Sequence, residues 1–177
     1  SGAVAAGGAR GGGPGGRAWL AARTVGTAGG PVSPQLLAAV QPGFPNAQIF
    51  TPYGMTEVLP VTIASTDEIQ DVGSDDGVCV GRPLPQVQVA MRAFDAPSGA
   101  LPEALDLGAL GEVWVRADHG STGYDGLWNQ DRHAFVEGWH RSGDVGHLDA
   151  AGRLWIEGRV AHLIPACDGA IAPVEVR

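Results

Sequence analysis

The chain has 177 residues and a formal net charge of −8, enough length for one domain with a real core. The acidic balance argues against general nucleic-acid binding, which runs on clustered positive charge. No apolar run nears the roughly 20 residues that cross a bilayer, and the N-terminus lacks a basic-then-apolar signal pattern.

Residues 1–17, "SGAVAAGGARGGGPGGR", offer almost no large apolar side chains to offset ordering entropy, so they read as a disordered lead-in. A phosphate-binding loop is the functional alternative, but the stretch lacks the lysine and hydroxyl residue that such a loop uses. Order is expected from about Trp19. In "VSPQLLAAVQPG", Ser33 caps a helix, Pro34 takes its first position and Pro42-Gly43 ends it, with Leu36, Leu37 and Val40 on one face. "AQIFT" reads as a short buried strand that ends in a loop, "PYGMTE".

From about residue 78 the period changes to two. Val87, Val89 and Met91 share a face, as do Val113 and Val115, and Leu154 and Ile156. Such segments predict antiparallel strands with one face buried. "DAAG" at 149–152 reads as a hairpin turn between "GHL" and "RLWIEG". The predicted organisation is a lead-in over 1–18, the end of an α/β unit over 19–74, a β-rich unit over 75–158 and a further segment over 159–177. Cys79 and Cys167 lie far apart with no metal-type spacing. Two unpaired thiols suit a reducing cytosol, and core packing is the role expected of each. The five histidines, His119, His133, His140, His147 and His162, make no metal pattern, and all but His162 are expected at the surface or in turns.

"YGMTE" at 53–57 carries four groups that suit a nucleotide. Tyr53 offers a flat face to a base, and Gly54 lets a backbone approach closely. The Thr56 hydroxyl suits a phosphate oxygen, and the Glu57 carboxylate suits Mg²⁺, which takes hard oxygen ligands. A plain turn is the competing reading of this stretch taken alone. Further on come "GRP" at 81–83, "GEVWVR" at 111–116 and "WHRSGDVGHLDAAGRLWIEGR" at 139–159. In this order and at this spacing they resemble the acyl-adenylate-forming superfamily of AMP-dependent synthetases and ligases, over residues 24–177.

The resemblance implies a fold, a cofactor and site residues. The fold is α/β with a β-rich subdomain, the C-terminal part of the family's large domain truncated at both ends. "TAGGP", with Gly29, Gly30 and Pro31, matches the lining of an adenine pocket. Tyr53 matches the aromatic that stacks on adenine. Thr56 matches the hydroxyl on the α-phosphate, and Glu57 the Mg²⁺ ligand. These two are the catalytic candidates. Asp144 matches the carboxylate on the ribose hydroxyls, and Arg159 an arginine on ribose or phosphate. Both roles suit their chemistry, a double acceptor and a fork of donors. The competing structural readings are a solvated loop carboxylate for Glu57, a turn cap for Asp144 and a surface partner of Glu157 or Glu175 for Arg159.

One stretch departs from the common pattern. The family's hinge aspartate, the acidic residue after it and a following lysine are matched by Ala161, His162 and Pro165. "GR-x-AH", "TPYGMTEVLPVT" and "DGVCVGRP" resemble the β-lactone synthetases of bacterial olefin biosynthesis. The resemblance therefore implies a cytoplasmic ligase that uses ATP and Mg²⁺ to activate a β-hydroxy fatty acid and closes it to a β-lactone with release of AMP. The alternatives are a long-chain fatty acyl-CoA ligase, which would also take CoA, and a non-catalytic nucleotide-binding or scaffold module. The family's phosphate-gripping loop and lid lysine have no match here, and the chain has no lysine at all. The isolated chain is expected to be inactive.

Overall fold

The computed structural model describes residues 3–6, 19–30, 32–70, 72, 77–97, 100–102, 105–126, 133–166 and 169–171. Two sheets carry the fold. The first has four strands in chain order: β1 (Ala3–Ala6), β2 (Thr24–Ala28), β3 (Gln48–Met55) and β4 (Val58–Ser65). β2 and β3 are parallel, with Gly26 opposite Phe50. The connection between them holds helix α1 (Pro34–Val40), as a parallel pair requires.

Helix α1 starts as the sequence indicates. The Ser33 hydroxyl accepts from the Leu36 amide at 3.3 Å, and Pro34 stands at the first turn. The chain then tightens into a 3₁₀ turn over Gln41–Gly43. Leu37 is fully buried and Val40 packs beside it, in a core with Val25, Ile49, Ala64 and Ile69. Leu36 was expected on that face but is exposed. A seven-residue helix on one sheet face buries a single narrow stripe, and Leu36 lies 100° from Leu37.

The second sheet runs β5 (Val78–Gly81), β10 (Leu154–Arg159), β9 (Trp139–Leu148), β7 (Gly111–Ala117) and β6 (Val87–Arg92), with β8 (Phe135–Val136) paired to β9. Val87, Met91, Val113, Val115 and Leu154 line its inner face. Strand β7 was expected to be buried on one face and is buried on both. Trp114 fills the second face, where its indole lies between the guanidiniums of Arg92 and Arg141, 5.5 and 5.6 Å from the ring centre. Glu112 completes this polar layer: it accepts from the Trp114 Nε1–H at 3.0 Å and from Nε and Nη2 of the Arg141 guanidinium.

The β3–β4 hairpin belongs to both cores. Ile49 and Ala64 pack in the first, while Tyr53, Met55, Val58 and Val61 pack in the second. Thr62 Oγ1 donates to the Val80 carbonyl, and the Leu84 amide to that of Val61 at 3.0 Å, so β4 is laced to the segment around β5. Beyond β10 come a 3₁₀ turn over Val160–His162 and a two-stranded pair, β11 (Ile164–Ala166) with β12 (Gly169–Ile171).

Three further expectations meet the structure here. The lead-in was read as disordered, but Ala3–Ala6 form β1, antiparallel to β2 with Ala3 opposite Ala28. The backbone of a small-residue segment can still complete the edge of a sheet. Cys79 is buried, whereas Cys167 lies outside the described residues. The "DAAG" segment does form the turn between β9 and β10, with the Asp149 amide bonded to the Arg153 carbonyl at 3.0 Å.

Asp149 organises that turn. Its carboxylate accepts from the amides of Ala151 and Arg153, from the Arg153 guanidinium at 2.6 Å and from the Trp155 indole at 3.1 Å. Desolvation alone would raise its pKa, but these donors outweigh it and bring it down from 3.8 to about 2. The resulting stability is fully present above the unfolded value and is lost as the pH falls through about 2. Asp149→Ala is expected to cost about 2 kcal/mol at pH 7. Urea unfolding at pH 7 and pH 3 tests this: the variant's deficit should shrink at the lower pH, and an unchanged deficit would discount the carboxylate's charge.

Candidate functional site

The quoted loop is not a loop. Strand β3 continues through Pro52, Tyr53 and Gly54 to Met55, and only Thr56 and Glu57 form the turn into β4. The alternation of small, aromatic and apolar residues hid an irregular strand, with a register shift between Tyr53 and Met55. Gly54 has a packing role within the hairpin. A Cβ there would lie 2.5 Å from the Val58 carbonyl oxygen and 2.8 Å from Leu59 Cδ1, so its missing side chain makes room for the facing strand.

Tyr53, Asp144 and Arg159 meet. Tyr53 comes from the first sheet, and its hydroxyl donates to Asp144 Oδ2 at 2.6 Å. Arg159 is the register partner of Asp144 across β9 and β10, and its Nε lies 2.8 Å from Oδ1. Both oxygens of Asp144 are thus engaged. The carboxylate is buried while the arginine is largely exposed. Asp144 gets its direction from a bulge in β9. Residues 142–144, three of them, stand opposite Val113 alone, and Gly143 has φ +72°. The Ser142 hydroxyl pins the bulge by donating to the Val113 carbonyl at 2.7 Å and accepting from the Asp144 amide at 3.0 Å. Burial pushes Asp144 up from its ordinary value, against the Tyr53 hydrogen bond and the Arg159 charge. Burial also drives the Tyr53 phenol far up, helped by the Asp144 charge, so it remains a donor.

Glu57 forms a second cluster. Tyr124 Oη donates to its Oε1, and His140 Nε2 lies 3.8 Å from Oε2. The Tyr124 hydrogen bond is the largest influence and holds the Glu57 carboxyl below its usual value, so it is ionised near neutrality. Burial lowers His140, opposed by the Glu57 charge and the Ala134 backbone. Thr56 is exposed at the tip of the turn.

Gly29 and Gly30 follow β2 and are exposed. They lie beyond the last β2–β3 pair, Gly26 opposite Phe50, and Gly29 turns the chain with φ +100°. Pro31 lies outside the described residues. Two histidines depart from expectation: His140 and His147 are buried, His147 through a 2.6 Å contact with Glu157 and a stack on Trp155. Tyr124, His140 and Ser142 were absent from the sequence-derived site. Ser142 lay inside "SGD", whereas Tyr124 and His140 carried no local signal. Among the described residues no three His, Cys, Asp or Glu side chains form a metal cluster. A single ionised carboxylate still suits Mg²⁺, which is commonly held by one or two carboxylates plus substrate phosphates.

The chain has counterparts among known proteins. The family model described as AMP-binding enzyme matches residues 15–125. The chain is 34% identical over 178 residues to an olefin β-lactone synthetase of Xanthomonas campestris, covering 87% of this chain and 31% of that protein. It is 31% identical over 160 residues to 4-coumarate–CoA ligase-like 1 of Arabidopsis thaliana, covering 89% of this chain and 28% of that one. The structure resembles O-succinylbenzoate coenzyme A synthetase from Bacillus subtilis in complex with ATP and magnesium ion, with a TM-score of 0.69 at 25% identity, over 87% of this chain and 30% of that one. The chain thus spans about a third of the length of these relatives.

Tyr53→Phe removes one hydroxyl and leaves Oδ2 of a buried carboxylate without its donor. It is expected to cost about 1–3 kcal/mol at pH 7. Asp144 is a carboxyl with a raised folded pKa, so its ionised form costs stability at pH 7, and the cost is relieved as the pH falls toward 3.8. Loss of the Tyr53 donor raises that pKa further. The variant's deficit in urea unfolding should therefore narrow from pH 7 to pH 4, and a pH-independent deficit would discount the bond.

Proposed function

The chain belongs to the AMP-binding enzyme family, and on that premise we propose that it carries the nucleotide half-site of an ATP-dependent acid-activating ligase. The observation that carries the reading is the meeting of Tyr53, Asp144 and Arg159 from two sheets. An aromatic ring, a double acceptor and an exposed guanidinium together match a base, a ribose diol and a phosphate.

In the proposed reaction an acid's carboxylate oxygen attacks the α-phosphorus of ATP. The bond to the β-phosphate breaks, and pyrophosphate leaves with its electron pair. In the second step the β-hydroxyl of a β-hydroxy fatty acid attacks the acyl carbonyl. The acyl–phosphate bond breaks, the hydroxyl proton is lost, AMP departs and a β-lactone remains. Asp144 accepts from the ribose hydroxyls, Tyr53 lies against the base, and Thr56 and Arg159 face the phosphates, with Gly29, Gly30 and Pro31 lining the adenine side. Glu57 would hold Mg²⁺, which neutralises phosphate charge when bound. Ala161 and His162, where a polar hinge is common, favour the lactone over a CoA thioester, because ring closure needs no second acceptor. The 4-coumarate–CoA ligase-like relative favours the thioester reading.

The test is calorimetric titration of the chain with AMP. Binding is expected, with loss of detectable heat in Asp144→Ala and roughly tenfold weakening in Arg159→Ala, about 1.4 kcal/mol. Circular dichroism establishes that each variant is folded. A folded chain that binds no AMP, or binds it equally after Asp144→Ala, would overturn the half-site reading and leave a scaffold module.

A further inference from the structure

Glu57 is held from two sides by groups that the nucleotide contacts do not use. Tyr124 donates to Oε1, and the His140 ring closes off the Oε2 side, its Nε2 3.8 Å away. That distance is too long for a hydrogen bond, so the imidazole acts through its position and polarity. One ring joins the two groups. Phe135 stands edge-on to Tyr124, with centroids 5.5 Å apart, and lies 4.8 Å from the His140 ring. The pair approaches from different parts of the chain: Tyr124 follows β7, and His140 begins β9.

His140 is costly where it stands. The residue is 5% exposed, and its Nδ1 is buried with no hydrogen bond of ordinary geometry among the described residues, although the Ala134 backbone acts on the ring. A leucine would fill the same space without a desolvated ring nitrogen. Packing alone does not ask for a polar ring here, and the ring faces Glu57. Tyr124 uses one acceptor position of a carboxylate that has about four, which leaves capacity for a cation.

We infer that Tyr124 and His140 are positioning residues that fix the Glu57 carboxylate in the orientation that holds a divalent cation on the bound nucleotide. The inference rests on the proposed reading of Glu57 as a metal ligand. Groups behind a metal ligand commonly set its orientation and hence the metal affinity.

The test compares the chain's dissociation constant for ATP in excess Mn²⁺ with that in EDTA. The ratio of the two measures the metal's contribution. The unsubstituted chain should show a clear gain with Mn²⁺, and Glu57→Gln should abolish it. Tyr124→Phe and His140→Leu should each cut the gain roughly tenfold while leaving the EDTA constant unchanged. His140→Gln, which keeps a polar nitrogen near the ring position, should recover most of it. If Tyr124→Phe and His140→Leu keep the full gain while Glu57→Gln loses it, the positioning inference falls and the metal reading stands. If Glu57→Gln also keeps the gain, or the chain shows none, both fall. Equal loss with Mn²⁺ and EDTA would mean a purely structural role and would also overturn the inference.

Discussion

A carboxylate taken out of water must find donors for its oxygens, and Asp144 finds them on two different elements. One is Tyr53, 91 residues away in the other sheet. The other is Arg159, its cross-strand neighbour. This requirement fixes much of the structure around it. The β9 bulge must aim Asp144 inward, Ser142 must hold the bulge, and β3 must run on past Pro52 so that Tyr53 arrives at the right height. A single buried charge therefore registers the first sheet against the second more sharply than apolar contact could, because hydrogen bonds are directional and the hydrophobic effect is not.

The hairpin β3–β4 makes that registration possible. Its two strands are long enough to pack in one core at Ile49 and Ala64 and in the other at Val58 and Val61. Gly54 lets them approach where Val58 and Leu59 pass. The turn at Thr56 and Glu57 is thereby carried to the second sheet, where Glu57 meets Tyr124 and His140.

Some of this was legible in the sequence. The helix signals at Ser33 and Pro34 and the period-two runs around Val87, Val113 and Leu154 are local, and local geometry produced them. The spacing of "YGMTE", "SGD" and "GR" pointed to Tyr53, Glu57, Asp144 and Arg159. What escaped was set by tertiary contact. Strand β3 carries Pro52 and Gly54, which read as punctuation, and only pairing with β4 shows that they sit within a strand. β7 has a second buried face because Trp114 is sandwiched by Arg92 and Arg141, residues from two neighbouring strands. His140 looked like a surface histidine because its partners, Glu57 and Phe135, are distant or apolar.

Tyr53 serves two masters, since its ring packs in the second core while its hydroxyl serves Asp144. Core packing and the hydrogen bonding of a buried charge are therefore drawn from one side chain and cannot be tuned apart. A substitution deep in the second core that shifts the tyrosine by a fraction of an ångström disturbs the carboxylate as well. This corner is therefore the least tolerant of substitution, and changes should be borne more easily on surfaces that do not touch the ring.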